Sequence, residues 1–334
     1  MANRVTIDAL ANWLKDKDDV VVLGHESPDG DAAGTALAVW HALKAMGKRA
    51  VACLPGGIPR LYAGLPGADE VLDTEAALPF SPKTAFSVDV SEQPRLGPAG
   101  ERLFLSCEHR AALDHHHTNP GFGQVYFLDG DAAAAGELAV DLIDGLGVTL
   151  SRDMATCLFV AISTDCGHFN YSNTREKTFL AAARCARAGV DVAGVTETLY
   201  RTRSAGRTRL LGLVLSELEL SPDGALAWAR LTEDMLRRAG AMREDKEGVV
   251  NYLQEIEGVR IAVLAEERGP GSTKFSLRTK APLNVARDVA LPLGGGGHDC
   301  AAGVTVELPL EEALGKVLAL AREALKKETR IFDL

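Results

Sequence analysis

The sequence predicts an α/β protein, with a doubly wound and mostly parallel sheet in its N-terminal part and a smaller α+β domain after it. Three observations lead there. Short apolar runs alternate with helix-length segments through the first half, the pattern of βαβ crossovers and of a sheet covered on both faces. Acidic residues and histidines gather where those apolar runs end, and open α/β sheets form their sites at the C-terminal ends of their strands. From about residue 196 the alternation gives way to a hairpin, further strands and one long helix.

The first 19 residues read as an amphipathic helix without the apolar core of a signal peptide. A strand is expected at 20–23, bounded by Asp18-Asp19 and Gly24, then a helix at 33–46 that ends at Gly47, where a left-handed cap commonly falls. Strands follow at 49–54, 85–90, 111–113 and 158–162, with a Pro/Gly-rich turn at 55–59 and helices at 136–146 and 175–188. The stretch 196–209 carries Arg201, Arg203, Arg207 and Arg209 and reads as a linker or an exposed helix. After it come a hairpin of 217–220 and 226–231 around Pro222-Asp223-Gly224, strands at 260–266, 274–278 and 304–308, and a helix at 310–327. The domains expected are therefore 1–195, a linker at 196–209, and 210–334, for a chain of 334 residues.

Composition narrows the function. Hydrophobic residues are 46% and charged residues 25%, values of a globular protein with a real core. No apolar stretch approaches the ~20 residues that cross a bilayer, so no membrane partner is expected. The six cysteines are scattered without a C-x-x-C pair, the pattern of reduced thiols in a cytoplasmic protein. A net charge of −10 argues against a grip on long duplex DNA, while leaving room for short single strands held by a local basic patch.

Four clusters carry the chemistry: Val-Val-Val-Leu-Gly-His25-Glu-Ser-Pro-Asp29-Gly-Asp31, Phe86-Ser-Val-Asp89, Ala-Leu-Asp114-His115-His116-His117, and Phe-Val-Ala-Ile-Ser-Thr164-Asp165-Cys-Gly-His168. Each sits at the end of an apolar run, and a parallel sheet brings all such ends to one edge. Asp29, Asp31, Asp89 and Asp165 together would set four negative charges side by side, which calls for raised pKa values or a compensating cation. With imidazoles added, the donors are oxygen and nitrogen only, a set for Mn2+, Mg2+, Fe2+ or Zn2+. Two such ions neutralise four aspartates, and at about 3.5–4 Å apart they can clamp the attacking and leaving oxygens of an in-line displacement at phosphorus.

The second half holds Leu293-Gly294-Gly295-Gly296-Gly297-His298-Asp299-Cys300-Ala301-Ala302-Gly303. Its glycines would let backbone N–H groups approach an anion, with His298 beside them and Arg278 on a nearby strand to take a phosphate or stack on a base.

Together these motifs resemble the DHH phosphoesterase family. His25-Glu-Ser-Pro-Asp29-Gly-Asp31-Ala-Ala-Gly is similar to its first motif, Asp89 with Arg95-Leu96-Gly97 to its second, Asp114-His115-His116 to the signature that names it, and Thr164-Asp165-Cys166-Gly167 to its fourth. Residues 294–303 resemble the glycine-rich core of the DHHA1 domain. Within the family the chain is most similar to the oligoribonuclease and pAp phosphatase type. The resemblance implies two divalent cations, Mn2+ preferred, one on His25, Asp29 and Asp89 and the other on Asp31, Asp89, His115 and Asp165, with Asp89 shared. It also implies that His116 touches the scissile phosphate, that Asp114 supports the histidines, and that Arg278, Gly296, Gly297 and His298 hold substrate. Cys166 and Asn170 depart from the family pattern, Thr35 replaces a common serine, and His117 is an extra histidine without an implied role.

The expected activity is hydrolysis of very short RNA oligonucleotides to 5′-mononucleotides and of the 3′-phosphate of pAp to AMP, with short single-stranded RNA or DNA and pAp as the expected partners. The rivals are a cyclic-dinucleotide phosphodiesterase, a single-strand exonuclease of the same family, and a nucleotide-binding regulator without turnover. The sequence leaves the oligomeric state, including a homodimer, open.

Overall fold

A computed structural model describes residues 2–332, and the side chains of these except His298 and 328–332. The chain divides into two compact units, Met1–Arg201 and Thr202–Leu334.

The first unit runs β1 (Asn3–Arg4), α1 (Ile7–Lys15), β2 (Val20–Leu23), α2 (Gly30–Ala45), β3 (Ala50–Leu54), β4 (Leu72–Asp73), β5 (Thr84–Val88), α3 (Gly97–Ser106), β6 (His109–Asp114), β7 (Val125–Leu128), α4 (Ala135–Leu146), α5 (Arg152–Asp165), α6 (Glu176–Arg187) and α7 (Val192–Thr196), and ends in a π-helical turn at Glu197–Arg201. Its seven strands form one sheet in the order β1-β7-β6-β5-β2-β3-β4, with every pairing parallel. The chain builds outward from β2 through β3 to β4, returns to β5 on the other side of β2, and continues through β6 to β7. The switch point thus falls between β2 and β5, which is where open α/β sheets leave a crevice.

Strand alternation feeds two cores. Val20 and Val22 of β2 pack with α1, α2, α4 and α5, and Val21 and Leu23 pack on the opposite face with Phe104 of α3. Residues 158–162, expected as a strand, lie inside α5 instead. Ser151 caps that helix by accepting from the Met154 N–H. Met154, Leu158, Phe159 and Ile162 are buried along it, so it has little polar face to reveal a helical period. The fourth cluster therefore sits at a helix end, not a strand end.

The packing of α2 on α5 is unusually close. A Cβ at Gly30 would lie 2.3 Å from Thr164 Oγ1, and one at Gly34 would lie 2.3 Å from the Cys157 carbonyl oxygen. These two glycines let the start of α2 touch the end of α5, which brings Asp29 and Asp31 toward Asp165.

The second unit runs α8 (Ala205–Ser216), β8 (Glu219–Leu220), β9 (Leu226–Leu231), α9 (Glu233–Ala239), α10 (Val249–Gln254), β10 (Ile261–Glu267), β11 (Thr273–Thr279), β12 (Gly296–His298), β13 (Ala301–Val306) and α11 (Leu310–Phe332). Its six-stranded sheet has the order β12-β13-β11-β10-β9-β8, and it is mixed because β9 and β10 pair in parallel while the rest are antiparallel. One face is covered by α11 and the other by α8, α9 and α10. The stretch 196–209 is helical on both sides of residues 202–204. All six cysteines are free thiols, and only Cys300 is exposed. No described helix is long and apolar enough to cross a membrane.

Candidate metal centre and active site

The first unit gathers eight residues singled out from the sequence: His25, Asp29, Asp31, Asp89, Asp114, His115, His116 and Asp165. His25 follows β2, Asp29 and Asp31 open α2, Asp89 follows β5, Asp114 ends β6 with the two histidines just beyond, and Asp165 closes α5. The first two strand ends among these, those of β2 and β5, flank the switch point.

Distances define two overlapping groups. His25 Nε2 lies 3.7 Å from Asp29 Oδ1 and 3.5 Å from Asp89 Oδ2. His115 Nε2 lies 3.6 Å from Asp31 Oδ2, 3.4 Å from Asp89 Oδ1 and 3.3 Å from Asp165 Oδ2. Asp89 belongs to both. Among the described residues, the ligating atoms of His25, Asp29 and Asp89, of Asp31, His115 and Asp165, and of Asp89, His115 and His116 each lie within 4.8 Å of one another.

The local backbone explains why the side chains point where they do. Asp89 has φ +55, a left-handed conformation that non-glycine residues rarely adopt, and its N–H donates to the Leu113 carbonyl. Such strain, of order 1–3 kcal/mol, persists where surroundings enforce it and is concentrated at functional sites. The histidine rings are set by their other nitrogens: His25 Nδ1 is 2.8 Å from the Glu26 carbonyl oxygen and His115 Nδ1 is 3.2 Å from that of Ala132. A carbonyl only accepts, so Nδ1 carries the proton and Nε2 faces the carboxylates.

The two aspartates of α2 are also helix caps. Asp29 Oδ1 accepts from the N–H groups of Asp31 and Ala32, at the start of its own helix. Asp31, fully buried, accepts from Thr35 Oγ1 and from the Ala135 and Gly136 N–H groups at the start of α4, more than a hundred residues away. Sequence reasoning noted Thr35 only as a threonine where the family commonly carries serine; the signal of its role was its position four residues on, one helical turn from Asp31.

Without a cation, protons answer the crowding of charge. Burial opposes a charged His25, but Asp29 and Asp89 outweigh it and raise its pKa to about 10. Burial likewise opposes a charged His115, and Asp89, Asp31 and Asp165 raise it to about 10. Burial, reinforced by Asp89 and Asp29 against the pull of His115, lifts Asp165 to about 7. Burial next to Asp89 and Asp165 pushes Asp31 well above the usual carboxylate range. Burial also opposes the Asp89 charge, yet the His115 and His25 imidazoles hold its pKa below that range.

A divalent cation fits this set. Asp89 Oδ1 is buried and has no hydrogen-bond partner; neither His115 Nε2 at 3.4 Å nor His116 Nδ1 at 3.7 Å makes one. A buried carboxylate oxygen left without a donor is costly unless a cation faces it. The donors around it are hard oxygens and imidazole nitrogens, the chemistry of Mg2+, Mn2+ and their neighbours.

His116 adjoins these groups through Asp89 and His115 but is held by Asp114. Its Nδ1 is 2.8 Å from Asp114 Oδ1, and its side chain is about one-third exposed, where Asp114 is buried. Burial disfavours its charge, and Asp114 more than compensates, so its pKa is raised. His168, from the fourth cluster, turns instead to Ser163 Oγ at 2.9 Å and lies against the Tyr200 ring. The Asn170 side chain donates to the Gly167 and His168 carbonyls of its own loop.

In the second unit, the last two glycines of the run, Gly296 and Gly297, lie in an edge strand rather than an open loop, with Gly294 and Gly295 in the turn before it. β12 pairs with β13, with Gly296 opposite Gly303, Gly297 opposite Ala302, and His298 opposite Ala301. Gly297 has φ +142, and a Cβ there would lie 2.5 Å from the Ala301 carbonyl oxygen, so close approach to β13 already demands a glycine there. Gly296 faces open space. Arg278 also stands opposite Ala301, from the β11 side. Positions 278 and 298 therefore flank the same alanine, two strand spacings or about 9–10 Å apart. The side chain of His298 lies outside the described ones.

Comparisons with known proteins agree with this geometry. Residues 19–162 match the family model of the DHH family, N-terminal domain, and residues 229–327 match that of the DHHA1 domain. The chain is 36% identical over 310 residues, 92% of its length and 90% of the relative's, to a bifunctional oligoribonuclease and PAP phosphatase NrnA from Thermus thermophilus. It is 26% identical over 296 residues to the protein of the same name from Bacillus subtilis, covering 86% of this chain and 90% of that one. Among solved structures, an exopolyphosphatase-related protein from Bacteroides fragilis superposes with a TM-score of 0.88 at 25% identity, over 98% of this chain and 97% of that one. The chain belongs to the DHH family of phosphoesterases, with a C-terminal DHHA1 domain.

Proposed function

We propose that this chain hydrolyses phosphoester bonds in very short RNA, releasing 5′-mononucleotides, and removes the 3′-phosphate of pAp to leave AMP. The observation that carries this reading is the convergence of His25, Asp29, Asp31, Asp89, His115 and Asp165, two donor groups sharing one buried carboxylate with an unpartnered oxygen. The names of the Thermus and Bacillus relatives, which state both activities, support it.

His25, Asp29 and Asp89 would hold one divalent cation, and Asp31, Asp89, His115 and Asp165 a second, with Mn2+ the preferred ion. Bound there, such cations neutralise phosphate charge and favour in-line displacement by water at phosphorus. The chain's own groups do the rest. Asp114 holds the His116 ring by Nδ1 and leaves Nε2 for a phosphate oxygen. Water adds to phosphorus as the bond to the leaving ribose oxygen breaks, or, with pAp, the bond to the 3′-oxygen. Arg278 supplies a guanidinium for a phosphate or a base, with Gly296, Gly297 and His298 beside it on the sheet. The substrate is short because the chain is acidic overall, at −10, and does not offer the broad basic footprint of a duplex binder.

A product-resolved assay tests the reading. A dinucleotide, pAp, cyclic di-AMP and a long single strand are incubated with the cation-stripped chain, then with Mn2+ or Mg2+ restored. The dinucleotide and pAp are expected to turn over fastest, and only with a cation. Faster turnover of cyclic di-AMP or of the long strand would replace this substrate class, and turnover after complete chelation would remove the metal from the reading.

A further inference from the structure

We infer that Asn119 is a positioning residue of the active site, one that fixes His116 through Asp114; the inference rests on the reading of His116 as a substrate contact. Asn119 is buried, and every polar atom of its side chain is used. Its Nδ2 donates to Asp114 Oδ2 at 2.6 Å and to the Val90 carbonyl at 3.0 Å. Its Oδ1 accepts from the Gly121 N–H at 2.7 Å. The opposite amide orientation would set oxygen against two oxygens and nitrogen against an N–H, so this one is chemically determined.

The consequence falls on Asp114. That carboxylate is 1% exposed, with His116 Nδ1 on one oxygen and Asn119 on the other. Two donors on opposite oxygens define both the position and the plane of the group. A carboxylate held in plane in turn selects the Nδ1–H form of His116 and the direction of Nε2. Without Asn119, Oδ2 would be a buried oxygen short of a donor, and Asp114 could relieve this only by rotating, which carries the His116 ring with it.

The second Asn119 bond ends on Val90, the residue after the left-handed Asp89. One side chain thus ties the exit of β5 to the histidine loop after β6. Asp89 keeps its own N–H bond to the Leu113 carbonyl, so the cation groups have an anchor that does not involve Asn119. The effect of losing Asn119 should therefore fall on His116 more than on the cations.

The test uses Asn119→Ala, Asn119→Ser, which keeps one donor, His116→Ala and the Asn119→Ala/His116→Ala double variant, all of the full chain with Mn2+. For Asn119→Ala, kcat on a dinucleotide is expected to fall about 10- to 100-fold, with KM and Mn2+ affinity within about threefold of the parent, as far as sites without shared partners stay independent. Asn119→Ser should recover part of the loss, and the double variant should be no slower than His116→Ala, because groups acting as one unit are not additive. A second readout needs no turnover: 15N-histidine spectra of the cation-free chain, taken at alkaline pH where the His116 ring is neutral, should assign it to the Nδ1–H form and show tautomer averaging in Asn119→Ala. Losses that multiply in the double variant, a parallel drop in Mn2+ affinity, or an unchanged His116 tautomer overturn the inference. If Asn119→Ala does not fold, Asn119→Ser and its own double variant with His116→Ala decide the same question. A parent chain inert on the dinucleotide and on pAp overturns the functional reading itself, whereas His116→Ala with full activity overturns only the role given to His116 and, with it, that of Asn119.

Discussion

The two donor groups of the first unit have the same chemistry and different foundations. In the outer group, Asp29 is about half exposed and is held by N–H groups two and three residues further along its own helix. In the inner group, Asp31 has no exposure and is held by the start of α4 and by Thr35. A ligand near water keeps a competing solvent partner and is screened, while a ligand in the interior has lost both. The place of Asp31 therefore depends on α4 being folded against α2, whereas Asp29 is set by the turn into its own helix; Asp89, after β5, serves both groups.

The shared residue gives the largest expected effect. Asp89→Ala should abolish tight binding of both cations by calorimetry and lower dinucleotide turnover by about a thousandfold, as several kcal/mol of charge stabilisation are lost. Retention of one tight site would mean the two groups are independent.

The comparison is sharpened by melting the cation-free chain at neutral pH. Asp31→Ala removes the acceptor of two N–H groups and a hydroxyl and should cost about 2 kcal/mol, against about 1 kcal/mol for the local cap lost in Asp29→Ala. Equal losses would erase the distinction between inner and outer groups.

Substrate affinity is expected to separate from cation affinity. Arg278→Ala should raise KM for pAp about tenfold, the scale of one charge-assisted hydrogen bond, with Mn2+ binding unchanged. An unchanged KM would take Arg278 out of the substrate site.

A smaller and graded effect comes from pH. The free site holds protons on His25 and His115, whose pKa values are about 10, and part of one on Asp165, at about 7. A cation needs these groups deprotonated, so binding releases protons and apparent affinity rises with pH from 6 to 8. Calorimetry in two buffers of different ionisation enthalpy reads the number released. Zero release would mean that the imidazoles do not ligate.

Much of this site was legible before the fold was known. His25, Asp29 and Asp31 stand in one turn, Asp114 to His116 are consecutive, and Asp89 ends an apolar run, so residue type and local punctuation were enough to mark them. Asp165 was marked for a partly wrong reason: its apolar run is a helix buried on nearly all sides, and such a run loses the period that tells helix from strand. Thr35 was marked only as a threonine in place of a common serine and Asn119 not at all, because each acts through a hydrogen bond to a buried carboxylate, and a neutral polar residue shows nothing of its partner in the sequence. The glycine run was read as an anion cradle; at Gly297 the close approach of β13 is a sufficient cause.

Local chemistry along the chain thus determined most of the alternation of strands and helices, the kinds of donor side chain and their sequence neighbours. Tertiary structure alone decided that β2 and β5 flank the switch point, that Gly30 and Gly34 let α5 deliver Asp165, and that Asp31 reaches the start of α4. Those outcomes depend on close packing and on hydrogen bonds between segments more than a hundred residues apart. Such contacts carry no periodic or positional mark in a sequence, because their partners become neighbours only when the sheet closes.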